Sequence, residues 1–523
     1  MVKKLLLFVF LSILTSQLYA QVQAGDSIQI VQILAARKLM YQKLNDTTEL
    51  QILAGGVRVK QGTTYFSCDS CVINNSAHLF EAFGHVYIND SDTTKIWSNN
   101  LKYLTDKRMA YLEGNVKLSD GHATLTTKNL EYDVANKIGT YTNGGKVVNK
   151  KTVLTSKEGT YYTDVRDFYF RQQVVLKDPG YTLKADSLIY NTQSQMASFI
   201  SETYIKDSSG RVIRTKEGFY DLASGRSQFT QRTTIQDKSL FVAGDRIASD
   251  DSSGIIQIEG RGVMIDTARG TNLLANRIFV NKKTDALLAT QRPLMIIKQG
   301  NDSFYVAADT LFSARLSDLI RDTSKAVKKK SLKSDSTDRY LEAYRHVRVF
   351  SDSIQTVSDS LFYSFKDSVF RLFQHPVVWS KQSQITGDTI FLYTKNKKAD
   401  KIRIPANSFL ITEVKPGVYN QIKSSRMDGF FKEGSIDSVI ARGFAESIYF
   451  LQDKDSAFTS VNKTNSDLIN IFFQKGELYK VVLVSAVKGV LSPISHTDPA
   501  AMKLENFEWL EKRRPKTKYE LFE

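Results

Sequence analysis

The hydrophobic and polar positions of this chain follow a short recurring template. It consists of a small residue, two polar residues, Leu or Ile, any residue, and then an aromatic or aliphatic residue, as in residues 98–103 and 185–190. Most copies are 29 to 33 residues apart, and one step is 50 residues. A fixed period of this size indicates a repeat architecture. The small residue of the template stands at positions 36, 68, 98, 127, 156, 185, 215, 244, 275, 308, 358 and 387.

A second pattern lies between the copies of the template: a Gly followed by alternating apolar residues, as in residues 84–88 and 114–118. Short alternating runs rich in Val, Ile, Tyr and Thr predict half-buried β-strands. Clusters of Asn, Asp, Ser and Gly, such as residues 89–92 and 207–210, separate these runs and predict turns. Each repeat is therefore predicted to contain two extended segments joined by tight turns, with no helical period.

The spacing inside the template predicts a bend in the strand. Ala185 has an odd number, whereas Leu188 and Tyr190 have even numbers, so the three cannot share one face of a regular strand. A bulge or sharp bend at the two polar residues would restore a common face. Strands bent at the same place in every repeat would stack into a sheet with a continuous crease. An ordinary solenoid with a filled core is the alternative that this pattern leaves open.

The first twenty residues are predicted to be a signal peptide. Lys3 and Lys4 precede an apolar run over residues 5–14, and residues 18–20 form a plausible cleavage site. This run is too short to span a membrane, and no later stretch approaches 18 consecutive apolar residues. The sequence thus predicts an exported, soluble, periplasmic protein of bacterial type.

The repeats divide the rest of the chain. We expect a first repeat array over residues 21–316, and a basic, polar linker or loop over 317–340 that explains the 50-residue step. A second, more degenerate array over 341–480 follows, and then a C-terminal strand and charged tail over 481–523. We expect that tail to be a frayed, partly helical end. If each of twelve repeats adds two strands at about 4.8 Å, the molecule would extend on the order of 115 Å.

Charge and cysteine content narrow the classes of partner only slightly. The chain has 71 Lys and Arg against 55 Asp and Glu, spread along its length. For an exported protein this excess favours anionic lipid or glycan over nucleic acid, although a solvated basic surface explains it equally well. Cys68 and Cys71 both occupy template positions. They are compatible either with a local disulfide or with two buried thiols.

The sequence contains no recognisable catalytic arrangement. We find no nucleophile elbow, zinc-protease motif, phosphate-binding loop or zinc spacing, and we predict no catalytic residue, metal or cofactor. Asp186, Asp245 and Asp309 recur at one template position, but Lys157 and Lys216 occupy the same position in other copies. Lysines do not suit a metal ladder, whereas Asp and Asn often stabilise turns and bends through their own backbone.

A creased sheet that is apolar on one side would form a trough suited to long acyl chains. Burial of hydrocarbon contributes about 0.8 kcal/mol per methylene. The alternative is that the lining side chains pack only against each other. The predicted lining residues are the Leu or Ile of the template: Leu39, Leu101, Leu130, Leu188, Ile278, Leu311, Leu361 and Ile390.

The repeated pattern resembles the OstA-like (organic solvent tolerance, LptA) proteins of lipopolysaccharide transport. The clearest stretches are residues 112–133 and 174–190, and the resemblance covers residues 28–395, with a weaker continuation to about 475. It implies an all-β fold, an elongated antiparallel β-jellyroll shaped as a V-shaped trough that holds acyl chains. This chain is much longer than the short periplasmic members and contains the basic linker.

The resemblance also implies a function and partners. The ligand would be lipopolysaccharide or a related glycolipid, carried through the periplasm toward the outer membrane without catalysis. The partners would be inner-membrane exporter and outer-membrane translocon components, joined by edge-strand pairing, with head-to-tail self-association as a further expectation and no nucleic acid. Two other classes stay open: a β-solenoid glycan-active enzyme and a glycan-binding surface or adhesin array.

Overall fold

The structure is a computed structural model, and it describes residues 31–299, 302–319, 337–395, 398–453, 455, 457–474 and 477–522. The predicted signal peptide and most of the predicted linker lie outside these residues. The chain divides into two compact units. The N-terminal unit holds residues up to 179 and residues 184–194, and the C-terminal unit holds residues 180–183 and those from 195 onward.

The N-terminal unit is built from antiparallel strands, as the sequence predicts. Its strands are β1 Gln32–Ala35, β2 Lys38–Asn45, β3 Thr48–Gln61, β4 Thr64–Asn74, β5 Leu79–Asp90, β6 Thr94–Leu104, β7 Met109–Ser119, β8 Ala123–Asp133, β9 Ile138–Tyr141, β10 Gly145–Asn149, β11 Thr152–Ser156, β12 Glu158–Tyr162, β13 Asp167–Asp178 and β14 Tyr181–Asn191, the first three residues of β14 being counted with the C-terminal unit.

The C-terminal unit continues in the same style, with one short helix, α1 Leu316–Leu319, among its described residues. Its strands are β15 Met196–Phe199, β16 Thr203–Asp207, β17 Val212–Thr215, β18 Gly218–Asp221, β19 Arg226–Phe229, β20 Thr233–Asp237, β21 Leu240–Gly244, β22 Arg246–Asp250, β23 Ile255–Asp266, β24 Thr271–Asn281, β25 Ala286–Thr290, β26 Leu294–Gln299, β27 Asp302–Ala307, β28 Thr310–Ala314, β29 Tyr340–Phe350, β30 Gln355–Ser364, β31 Val369–Phe373, β32 Val377–Ser380, β33 Ser383–Thr386, β34 Thr389–Lys395, β35 Lys398–Ile404, β36 Ser408–Lys415, β37 Val418–Ser424, β38 Arg426–Lys432, β39 Ser435–Gln452, β40 Phe458–Gln474, β41 Glu477–Val484 and β42 Lys488–Pro493. Three 3₁₀ turns follow, Ile494–His496, Glu511–Arg513 and Glu520–Phe522.

Paired long strands share a crease in their middle, where the register shifts opposite the two polar residues of the template. In β5, Gly84 and His85 both have positive φ and together lie opposite the single residue Asn99 of β6. The extra residue belongs to the Gly-containing strand rather than to the template strand. Glycine suits this position because it adopts positive φ without strain. A Cβ at the equivalent Gly114 would lie 2.8 Å from Asn99 Nδ2.

The crease gives the template one buried face, which confirms the prediction from its spacing. On β6, the small residue Ser98 and the apolar residues Leu101 and Tyr103 are all buried, whereas Asn99 and Asn100 between them are exposed. The same arrangement recurs in the C-terminal unit, where Gly260 and Arg261 of β23 lie opposite Asn276 of β24. The two halves of each creased strand therefore enclose a common interior.

The tail differs from the frayed end that the sequence predicts: it packs along the outer face of the C-terminal unit. The fully buried amide of Gln421 donates to Met502 O at 2.8 Å and accepts from Leu504 N at 2.8 Å. Gln384 holds Glu508 O and Leu510 N in the same way, both at 2.7 Å. Leu504 is buried in an apolar cluster with Phe409, Ile411, Ile448, Phe450 and Val461. Apolar contact and amide pairing fix this segment, although its composition is highly charged.

Candidate functional site

The predicted trough residues form straight rows across the strands of each unit. In the N-terminal unit the register places Leu39 beside Leu53, and the row continues through Cys71, Ala82, Leu101 and Leu112 to Leu130. In the C-terminal unit it leads from Ile278 through Ala289, Leu311, Ala343, Leu361 and Leu372 to Ile390. Leu188 lies on β14. The structure thus aligns the predicted residues within each unit.

These rows are packed rather than open. Seven of the eight predicted lining residues are at most 2% exposed, whereas Leu39 on β2 is 44% exposed. Close packing of this kind leaves little room for a ligand along the row itself. Their role in binding lipid therefore stays a prediction.

Tyrosines at the sixth template position close the interior of the N-terminal unit. Tyr132 lies near the end of β8 and donates a hydrogen bond to Asp90 Oδ2 at 2.7 Å, and Asp90 is almost completely buried. Because Asp90 and Tyr132 lie toward opposite ends of the creased strands, this bond joins the free ends of the two halves. Two further tyrosines make the same kind of link. Tyr103 donates a hydrogen bond to Gln61, 42 residues earlier in the chain, and Tyr161 donates one to Asp120, 41 residues earlier.

Burial controls the ionisation of this tyrosine row. It raises the pKa of Tyr103 to about 12 and raises the pKa of Tyr132 further, with the nearby Asp90 carboxylate adding to the effect. For Asp120, burial alone would raise the pKa. Hydrogen bonds from the Ala123 backbone, Tyr161 and Thr192 outweigh it and hold the pKa below its usual range. The phenols thus stay neutral donors to fixed acceptors.

The C-terminal unit contains a cavity of about 260 Å³ where the same template position carries small residues. Ser249, Val280 and Ser313 replace the tyrosine in three copies of the template, and all three line the cavity. The remaining wall is mainly hydrocarbon, including Ile213, Phe229, Val242, Met264, Leu273 and Met295. The volume is slightly below the roughly 300–1,000 Å³ typical of small-molecule pockets.

The sequence pattern did not predict this cavity. Of the predicted trough residues, Ile278 and Leu311 are nearest to it along the chain, and neither lines it. It lies toward the free ends of the strands rather than along the Leu and Ile row. The signal that could have located it is the loss of the aromatic residue at the sixth template position in neighbouring copies. That loss is visible in the sequence at Ser249, Val280 and Ser313.

An ion-pair network joins the strand ends beside this cavity. Arg269 lies in the turn before β24 and Asp285 in the turn after it, and their Nη2 and Oδ2 atoms are 3.4 Å apart. Arg269 also pairs with Asp266 at 3.1 Å, and Asp285 pairs with the largely buried Arg339 at 2.6 Å. Burial lowers the pKa of Arg339, and the Asp285 carboxylate opposes that shift. Ion pairs therefore join the strand ends here, in addition to the hydrogen bond that Tyr220 Oη donates to Asp251 Oδ2 at 3.3 Å.

The two cysteines are buried free thiols on β4. The hydrogen bond between them lowers the pKa of Cys68 and raises that of Cys71. Cys71 belongs to the buried row that contains Leu53 and Ala82. A disulfide between them stays a prediction.

Within the described part of the chain, no group of three or more His, Cys, Asp or Glu residues could hold a metal ion. No helix among these residues is long and apolar enough to cross a membrane.

Comparison with known proteins bears on the N-terminal part of the chain. Residues 29–186 match the family model described as OstA-like protein. This segment is similar to OstA-like proteins. The resemblance predicted from the sequence is thereby confirmed over this range, and the cavity lies in residues beyond it.

No curated protein matches the chain. Among solved structures, it is similar to LptH from Pseudomonas aeruginosa, described as the LptA-homologous periplasmic component of the conserved lipopolysaccharide transport device. The two are 16% identical, the match covers 21% of this chain and 83% of LptH, and the TM-score is 0.19. The all-β assignment rests on the antiparallel strand pairing described above.

Proposed function

We propose that this protein is a non-catalytic periplasmic carrier or bridge that binds the acyl chains of lipopolysaccharide, or of a related glycolipid, and passes them toward the outer membrane. The observation that carries the proposal is the hydrocarbon-lined cavity of about 260 Å³ between creased strands, in a chain whose N-terminal segment is OstA-like. Burial of an acyl chain in such a space is favourable by about 0.8 kcal/mol per methylene.

The charged network beside the cavity suits an amphiphilic ligand. An acyl chain would lie among Phe229, Met264 and Leu273, and its polar end would remain near Arg269 and Asp285, which are about one-third exposed. Because these two side chains link the strand ends through a partly solvated ion pair, separating them costs little, on the order of 0–1 kcal/mol. Loading from the side of the creased sheet therefore needs no unfolding of the strands.

The terminal strands support a role in assembly. β1 and β2 are exposed along their whole length, and Leu39 and Tyr41 on β2 are solvent-accessible apolar residues. At the other end of the chain, β42 is also largely exposed. Exposed strands of this kind invite pairing with another chain. We propose that exporter and translocon components, or further copies of this protein, join there.

Site-specific photo-crosslinking in living cells tests the carrier proposal. A photoreactive residue would replace Leu273, which lines the cavity, or its neighbour Leu274, which points outward and is 38% exposed. Position 274 is a matched control, because the two residues are adjacent in β24 but their side chains point to opposite faces of the strand. Further positions at Leu101, Leu188, Leu311 and Ile390 would test the packed rows.

We expect lipopolysaccharide adducts at position 273 and none at position 274. Adducts at the row positions as well would show that the packed interior opens to admit lipid. Absence of a lipid adduct at every inward position, in protein that is folded and exported, would contradict the proposal.

A further inference from the structure

A second and larger cavity, of about 1,180 Å³, lies between the crease of the C-terminal unit and the docked tail. One wall consists of crease residues, among them His346, His375, Asn407 and Phe444. The other wall is the tail, including Asn506 and Glu508. We call this space the crease groove. It exists because the buried Gln384 and Gln421 amides hold the tail alongside the sheet.

The crease groove presents polar side chains at regular intervals. His346 lies in β29, His375 joins β31 to β32, and Asn407 joins β35 to β36. One creased strand lies between each successive pair, first β30 and then β33 with β34, so these residues recur on every second creased strand. Neighbouring strands are about 4.8 Å apart, which places successive members of the row about 9.6 Å apart. Asp388 lies between two of them and accepts a hydrogen bond from Asn407 Nδ2 at 2.8 Å. Such a row suits a linear ligand with hydroxyl groups along its length.

Phe444 is the exceptional residue of the crease. Its side chain is 88% exposed, and its φ of +47° is one that bulky residues rarely adopt. Residues at the same place in other two-residue bulges include Gly56, His85, Asn115, Arg261 and His346. A phenyl ring that is exposed and sits on a strained backbone does not stabilise the fold. Contact with a ligand better explains an exposed phenyl ring at this position in the groove.

We propose that the crease groove binds a linear oligosaccharide, with one sugar ring stacked on Phe444. Pyranose rings combine an apolar C–H face, which packs on an aromatic ring, with an edge of hydroxyls that bond carboxylate, amide and imidazole groups. Four cationic and three carboxylate side chains line the groove, so its positive and negative charges nearly balance. This near balance suits a neutral or weakly anionic glycan rather than a polyanion. The inference does not rest on the proposed lipid carriage.

Isothermal titration calorimetry on the full mature chain tests this site. The two probes would be maltohexaose, a neutral glycan, and a deacylated core oligosaccharide from bacterial lipopolysaccharide. We expect the protein to bind at least one of them, and Phe444→Gly to weaken that binding about tenfold or more. Because glycine tolerates positive φ, this variant should unfold at the same temperature as the unsubstituted protein or a higher one.

Two more variants complete the design. Asn407→Gly keeps a residue that accepts the φ of +51° and removes the amide, so it should also weaken binding. Tyr479→Ala removes an aromatic ring that is 70% exposed outside the groove and should leave binding unchanged. The proposal is overturned if neither glycan binds the unsubstituted protein, or if folded Phe444→Gly binds as well as that protein. Lipid crosslinking at position 273 is a separate readout, so either proposal can fail alone.

Discussion

Three consecutive copies of the template in the C-terminal unit lack the tyrosine that closes the N-terminal unit at the sixth position, and the interior differs there accordingly. In the N-terminal unit, Tyr103, Tyr132 and Tyr161 fill the space between the strand ends and bond polar partners there. In the C-terminal unit, small residues stand at positions 249, 280 and 313, and a cavity of about 260 Å³ takes the place of the rings. In a repeat fold, the residue at one template position can thus decide whether the interior is filled or contains a cavity, without any change in strand order.

The linkage of the strand ends also differs between the two units. A buried tyrosine–carboxylate bond such as Tyr132–Asp90 is shielded from water, whereas the Arg269–Asp285 pair is partly solvated. Hydrogen bonds to buried charged groups contribute about 1.5–3 kcal/mol, and exposed ion pairs contribute about 0–1 kcal/mol. We therefore expect the strand ends to separate more easily beside the cavity than in the N-terminal unit.

The largest expected effect comes from giving the N-terminal unit the residue found beside the cavity. Tyr132→Val removes a fully buried ring and leaves the buried Asp90 without its phenol donor. We expect the free energy of unfolding to fall by about 3–5 kcal/mol. Urea denaturation measures the change. Tyr132→Phe, which keeps the ring, should cost about 1–3 kcal/mol. Equal losses for the two variants would show that the ring itself adds nothing to closure.

Alkaline pH should destabilise the tyrosine-closed interior next most strongly. The pKa of Tyr103 is raised from 10.0 to about 12 by burial, so the folded state keeps a proton that the unfolded state loses. Its stabilisation is complete below pH 10 and is lost as pH rises toward 12, at about 1.4 kcal/mol per pH unit. Denaturation at several pH values measures the slope. Tyr103→Phe should make the slope shallower, and an unchanged slope would contradict this assignment.

Filling the cavity should weaken ligand binding, with a smaller change in free energy than the two effects above. Val280→Tyr introduces the aromatic residue of the N-terminal unit, and its hydroxyl could meet Asp237, which also lines the cavity. We expect lipid adducts at position 273 to fall about tenfold, equivalent to ~1.4 kcal/mol. Val280→Ile is the control that preserves the shape. Undiminished adduct formation in folded Val280→Tyr would place the lipid elsewhere.

Much of the fold could be predicted from the sequence because its determinants are local. The odd spacing between Ala185 and Leu188 is a property of six consecutive residues, and it predicted the crease that the register between Gly84 and Asn99 shows. Period-two burial on either side of the crease follows from the same template. Turns such as residues 89–92 are likewise encoded by neighbouring polar residues.

The cavity and the docked tail could not be predicted in this way because they depend on distant pairs. Tyr132 closes the interior only through its hydrogen bond to Asp90, which lies 42 residues earlier. The sequence alone does not reveal this pairing, so it could not show that Val280 at the equivalent position leaves a cavity. The tail meets Gln421 across 81 residues and Gln384 across 124. Neither glutamine belongs to a pattern that distinguishes it from a solvated polar residue of a strand.

The smallest effect on stability should come from the ion pairs beside the cavity. Arg269→Ala removes the cation that links Asp266 to Asp285, whereas Asp285 keeps its pair with Arg339. Because Arg269 is about one-third exposed, we expect a loss of less than about 1 kcal/mol in unfolding free energy. If the pair restrains the strand ends, lipid adducts at position 273 should nevertheless appear faster than in the unsubstituted protein. Arg226→Ala removes a more exposed arginine, paired with Asp250 at 3.9 Å outside the cavity lining, and serves as the matched control. Equal crosslinking rates in both variants would show that the ends separate without resistance from this pair, and that the small residues at 249, 280 and 313 alone distinguish the hollow interior from the closed one.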